Sequence, residues 1–162
     1  SAQLNAGAIH STRAMAFVIK GLYYRNKETR REQDIAIIIE LTNRLLQMYR
    51  HEKKENWHWY ESYLTYANSL LPEAMLCAWL ATGTLVYKET AKESFDFLLS
   101  KIFVDGAIKV ISNSSWLHQG RESSRVWQGG EQPIDVAYTI LALKKFSTVF
   151  RDKEYKNKMN LF

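Results

Sequence analysis

The chain has 162 residues, 46% of them hydrophobic and 24% charged, with a formal net charge of +5. That length fits one domain able to bury a core without staples. The single cysteine excludes an internal disulfide framework and a cysteine metal cluster, and no run approaches ~18 uncharged apolar residues, so no membrane-spanning helix is expected.

A basic excess raises the question of nucleic acid. Here Lys and Arg alternate with Asp and Glu, as in Arg25-Asn26-Lys27-Glu28 and Arg50-His51-Glu52-Lys53-Lys54-Glu55. Such mixing reads as solvated faces and linkers rather than a phosphate-binding patch, so nucleic acid is not an expected partner. Cys77, between Leu76 and Ala78, reads as a small core residue and is compatible with a reducing cytoplasm, the expected location. The N-terminus shows no basic segment followed by an apolar run, so no signal peptide is visible. With 7 Gly and 2 Pro, long elements are expected rather than many turns.

Residues 4–24 predict a helix that is apolar nearly all round, with Gly21 near its end, followed by a charged linker over 25–32. Residues 33–49 carry Ile35, Ile38, Ile39, Leu45, Leu46 and Tyr49 near a 3.6-residue stripe, which predicts an amphipathic helix. Residues 51–68 are rich in Trp, Tyr and charge. A second buried helix is predicted over 70–82. Pro72 suits its first turn, Asn68 or Ser69 can cap it, and Gly83 ends it. Residues 84–103 predict an amphipathic helix with Tyr87, Ala91, Phe95, Leu98 and Ile102 inside. Asp105-Gly106 makes a turn, 107–111 a small strand, and 112–130 a long polar loop holding Trp116, His118 and Trp127. A third buried helix is expected from Pro133, and a third amphipathic one from Asp152.

The order is therefore buried then amphipathic, three times. Pro72 and Pro133 lie about 60 residues apart, as do Gly21 and Gly83, a spacing longer than common solenoid units. Large helical hairpins with an inner apolar layer and an outer amphipathic layer account for it. The predicted fold class is all-α, an α/α hairpin array, in one domain over 1–162. Three hairpins make an arc rather than a closed ring, so a fragment of a longer domain is expected, one that self-associates to cover its inner surface.

Three constellations carry chemistry. The first is Asn56-Trp57-His58-Trp59-Tyr60-Glu61, continuing to Tyr66, Asn68 and Glu73. Indoles stack on sugar faces, amides and carboxylates bond hydroxyls, and a carboxylate beside indoles has a raised pKa suited to a general acid. The alternative is that Trp57, Trp59 and Tyr63 plug the gap between hairpins while Glu61 caps a helix. The second is Gly129-Gly130-Glu131-Gln132-Pro133-Ile134-Asp135. Glu131 and Asp135 suit a helix N-terminus. Glu131 also precedes the third buried helix as Glu73 begins the second, and paired carboxylates converging there could do glycosidic acid/base work. The third is the loop over 112–130, where Trp116, Leu117, His118 and Trp127 make either a lid or a plug. The four histidines lack metal spacing, no phosphate-cradling loop follows a strand, and no metal or cofactor is expected.

Trp57-His58-Trp59-Tyr60-Glu61, the run from Tyr66 to Ala74, Ala81-Thr82-Gly83 and the run from Glu131 to Ala137 resemble a helical domain that accompanies bacterial and archaeal glycosyltransferases. That domain is similar to the six-hairpin (α/α)6 toroid of many glycosidases and sugar epimerases. The resemblance begins near Asn56 and implies a domain running on past Phe162. Where that family often has an acid after the Glu61 position, Ser62 stands here.

The expected function is carbohydrate binding or glycosidase-like turnover, with Glu73, Glu131 and Glu61 as acid/base groups. Trp57, Trp59, Tyr66, Asn68, Trp116, Trp127 and Asp135 are the expected sugar contacts. The rival is a non-catalytic module beside a glycosyltransferase. If inner and outer helices alternate in direction, every loop leading into an inner helix emerges at one end. That end should gather Glu61, Glu73 and Glu131 with Trp57, Trp59 and Trp116.

Overall fold

A computed structural model describes residues 6–109, 111, 116–120 and 133–161. About 70% of these residues are helical, far above the usual third. The described helices are α1 (Thr12–Glu28), α2 (Glu32–Glu52), α3 (Leu70–Thr82), α4 (Leu85–Ile102), α5 (Pro133–Phe150) and α6 (Lys153–Met159). Strand β1 (Tyr63–Leu64) pairs antiparallel with β4 (Leu117–His118), and β2 (Phe103–Val104) with β3 (Ala107–Ile108). The fold is all-α, with these ribbons in the connections.

α3 is the hub. From Leu70 to Ala78 every residue is buried. It packs against α1, α4 and α5, and α1 and α5 also meet through Phe17 with Tyr138 and Tyr24 with Lys145. α2 backs α1 and α6 backs α5, so α1, α3 and α5 form one layer and α2, α4 and α6 the second. Phe95 of α4 meets Phe146 of α5 and Tyr155 of α6, which ties the layers together.

The three helices of the first layer run parallel. Near their starts, Arg13 reaches Asn68, Asp135 accepts from the Ala67 amide, and Ser69 meets Thr139. Further along, Lys20 meets Glu73 and Lys145 meets Cys77. Their N-termini therefore gather at one end, as alternating helix direction requires.

Local chemistry sets most boundaries. Gly83 adopts a left-handed φ of 75°, and its amide bonds the Trp79 carbonyl at 2.7 Å, which stops α3 where expected. Capping at the other end differs from expectation. Ser69 makes no cap, because its hydroxyl bonds Thr139 Oγ1 at 2.8 Å. Asn68 folds back onto Thr65 instead, accepting from its amide and donating to its carbonyl.

α1 departs more. It starts at Thr12, not Leu4, because Ser11 Oγ accepts from the Ala14 amide. It then continues through Gly21 and Tyr24 to Glu28, leaving only a short link to α2. Charged residues propagate helices well, and Arg25 and Asn26 both bond Asp34 across that link. Nor is α1 buried all round: Met15, Ala16 and Ile19 are enclosed, while Phe17 and Tyr24 are about half exposed. α5 behaves likewise, with Ile134 and Leu141 open. α3 is enclosed by α1, α4 and α5, whereas α1 and α5 each keep an exposed stretch.

Candidate functional site

The shared end carries a groove of about 330 Å³ between the start of α1 and the loop from Glu61 to Tyr66. Its floor is a network centred on Arg13. A guanidinium has five N–H donors in a fixed fork, and here each is used. Nε donates to the Tyr66 carbonyl (3.2 Å) and Nη1 to Thr12 Oγ1 (2.8 Å) and Glu61 Oε2 (2.5 Å). Nη2 donates to Thr65 Oγ1 (2.7 Å) and Asn68 Oδ1 (3.2 Å). Glu61 Oε1 accepts in turn from Thr12 Oγ1 at 2.8 Å. Both carboxylate oxygens of Glu61 are thus engaged.

The walls are aromatic. Pairing of β1 with β4 sets Tyr63 opposite His118 and Leu64 opposite Leu117. Trp116, just before β4, stacks on Tyr63 with centroids 5.5 Å apart and planes 24° from parallel. Trp116 is 46% exposed and Tyr66 50%. Ala67 takes a left-handed φ of 49°, which turns the chain beneath Tyr66. The Asp135 carboxylate, accepting from the Ala67 amide, holds that turn. The Arg13 guanidinium lies 5.4 Å from the Tyr66 ring centroid, within cation–π range.

Glu61, Tyr66 and Trp116 line this groove, and Asn68 braces its floor. Asp135 stands behind it. Its Oδ1 serves Ala67, while Oδ2 is buried without a partner beside a cavity of about 10 Å³ faced by Asn68, Ser69 and Thr139. Burial pushes the Asp135 carboxyl up, against the Ala67 hydrogen bond and the Arg13 charge, which pull it down.

Trp57 and Trp59 are placed otherwise than expected. They are 1% and 0% exposed, so neither offers a face to a ligand. Trp57 donates its indole N–H to the Glu61 carbonyl at 2.7 Å and packs edge-on against Phe97 of α4; Trp59 packs edge-on against Tyr60. They plug the space between the Glu61 loop and α4, the alternative open to them from the sequence. Glu73 is not in the groove either. It lies further along α3, 2% exposed, between Lys20 and Lys145. Glu131 and Trp127 lie outside the described residues.

Sequence reasoning missed Arg13 and Thr12. The available signal was a cation interrupting an apolar helical run, Arg13 ahead of Ala14-Met15-Ala16-Phe17. A charge in such a run is retained when partners wait for it. Among the described residues no group of three or more His, Cys, Asp or Glu is placed to hold a metal, and no helix is long and apolar enough to cross a membrane.

No protein-family model, no curated protein and no solved structure matches the chain.

Proposed function

We propose that this chain is a carbohydrate-binding domain, an arc of an (α/α)6-type hairpin array whose groove takes a neutral sugar ring. The observation that carries this reading is the Tyr63–Trp116 stack, open beside a floor of engaged hydrogen-bonding groups. An indole fixed by stacking presents a rigid apolar face at low entropic cost. His10, Ser11 and the outer edge of Glu61 supply polar atoms at the rim. Trp116 and Tyr66, each about half exposed, both line the groove and offer it aromatic surface.

Binding is favoured over turnover by the state of the carboxylates. Hydrolysis of a glycosidic bond uses a pair of carboxyl groups, one free to give a proton and one to act as base or nucleophile. Glu61 is the acid that lines the groove among the described residues, and Thr12 and Arg13 occupy both its oxygens. A work-mate of a glycosyltransferase, holding glycan for a partner, fits the same geometry.

Glycan-array screening followed by calorimetry tests the reading. Trp116→Ala and Tyr66→Ala should each weaken a detected neutral oligosaccharide about tenfold, roughly 1.4 kcal/mol. Trp116→Ala should leave stability within about 0.5 kcal/mol, as expected for an exposed side chain. A wild-type chain that binds no neutral glycan, or a Trp116→Ala variant that binds as tightly, overturns it.

A further inference from the structure

Midway along the layer of α1, α3 and α5, one carboxylate sits between two ammonium groups. Glu73 Oε2 accepts from Lys20 Nζ at 2.5 Å, and Glu73 Oε1 lies 3.0 Å from Lys145 Nζ. The carboxylate is 2% exposed and each lysine side chain 14%. Each helix of the layer contributes one charge. Among the described residues the remaining polar neighbours are neutral. Burial pushes the Cys77 thiol up, so it stays protonated at neutral pH, and Tyr24 contributes a hydroxyl. Lys145 has the Glu73 carboxylate 3.0 Å away and donates to the Tyr24 hydroxyl and to the Cys77 sulfur, partners that suit an ammonium. The cluster therefore carries one unbalanced positive charge beneath a nearly closed surface, an arrangement that is costly unless a counter-charge completes it.

The two lysines differ in what they have left to give. An ammonium has three N–H donors. Those of Lys145 meet Glu73, the Tyr24 hydroxyl (2.7 Å) and Cys77 Sγ (3.1 Å). Lys20 has Glu73 as its hydrogen-bond acceptor among the described residues, and its Nζ stands 5.9 Å from the Tyr138 ring centroid. Its other two donors have no hydrogen-bond acceptor among the described residues, and the ammonium sits beside the Tyr138 ring, which Phe17, about half exposed, meets edge-on.

We propose that this cluster is a binding site for a compact oxyanion, a carboxylate or phosphate group on a small organic molecule, received by Lys20 with the body of the ligand against Phe17 and Tyr138. Glu73 sets the selectivity. It neutralises Lys145 and leaves Lys20 as the receiving charge, so the site takes one negative charge. It also makes Glu73 a positioning residue, not an acid for catalysis. This site is separate from the aromatic groove and does not depend on sugar binding there.

The full chain is titrated with inorganic phosphate, with D-glucuronate and with glucose, at an ionic strength held constant with chloride, reading Tm and calorimetric heat. At least one of the two anions should raise Tm with concentration, as any ligand selective for the folded state does, while glucose should not act through this cluster. A response to phosphate alone, or to glucuronate alone, identifies the source of the oxyanion. Lys20→Gln, which keeps a donor for Glu73 but no charge, should weaken the active anion at least tenfold. Glu73→Gln should strengthen it several-fold, because two cations then face the ligand. The opposite signs of these two variants separate a site from general surface attraction and from loss of fold. The proposal fails if neither anion raises Tm beyond chloride, or if Lys20→Gln binds unchanged.

Discussion

Two carboxylates meet cations of the α1, α3 and α5 layer, and they do so differently. At the groove end Glu61 faces one arginine, and all five guanidinium donors are spent, two on side-chain hydroxyls, one on an amide oxygen, one on a backbone carbonyl and one on Glu61 itself. Midway down the layer Glu73 faces two lysines, and one of them, Lys20, has no other hydrogen-bond acceptor among the described residues. The first is a closed one-to-one pair that fixes a loop. The second is an open two-to-one cluster with a charge left over. A planar fork with five fixed directions suits the first task and a compact ammonium on a flexible stem the second.

The contrast breaks most clearly at Arg13. Arg13→Ala should cost about 3–5 kcal/mol, the usual loss when one member of a buried ion pair is removed and its partner is stranded. Glu61 would keep only Thr12, while Asn68, Thr65 and the Tyr66 carbonyl would each lose a donor. Urea denaturation monitored by circular dichroism measures it. A loss below about 1 kcal/mol would mean that the network is not a structural hub.

Lys20→Ala should cost much less, about 1 kcal/mol or under. A charge-assisted hydrogen bond is lost, but the pair left behind, Glu73 with Lys145, is balanced. If Lys20→Ala proved as damaging as Arg13→Ala, the excess positive charge at the cluster would be an illusion, and the lysine would be a buried structural partner like the arginine.

What the sequence made legible follows the same divide between local and long-range causes. The span of α3 was readable because Pro72 and Gly83 act on their own backbone, and the inside face of α4 because Tyr87, Ala91, Phe95, Leu98 and Ile102 repeat with the helix. The start of α1 was not, since an apolar run from Leu4 hid the cap at Ser11. At the site, Glu61, Tyr66 and Trp116 were legible as residue types and do share the groove. Trp57 and Trp59 look the same in sequence, yet they are core, because the segment around them has no period to say which way a ring points. Arg13 was illegible for another reason. Its partners lie some fifty positions away, and nothing short-range marks them.

A third carboxylate sharpens the comparison with the smallest effect. Among the described residues Asp135 has neither an arginine nor a lysine as hydrogen-bond partner. One oxygen holds the Ala67 amide and the other is buried without a partner. Burial raises its carboxyl above the ordinary range, and the Ala67 bond and Arg13 charge do not cancel this. A raised folded-state value means that the folded chain binds a proton more tightly than the unfolded one. Stability from this group therefore falls as pH rises from the ordinary aspartate range, about 3.9, through the raised value, and is flat above it. Asp135→Asn removes that slope. Its carbonyl oxygen can still accept from Ala67, and its amide can donate into the cavity beside Ser69 and Thr139. Asp34, whose carboxyl is lowered chiefly by its hydrogen bond from Arg25, works in the opposite sense and is common to both proteins, so it cancels in the difference. Urea denaturation of wild type and Asp135→Asn from pH 7 down to pH 4 should show the variant gaining on wild type as pH rises. A difference that stays constant with pH would mean that Asp135 titrates as an ordinary carboxylate, and its second oxygen must then have found a partner such as a water in the small cavity behind the groove.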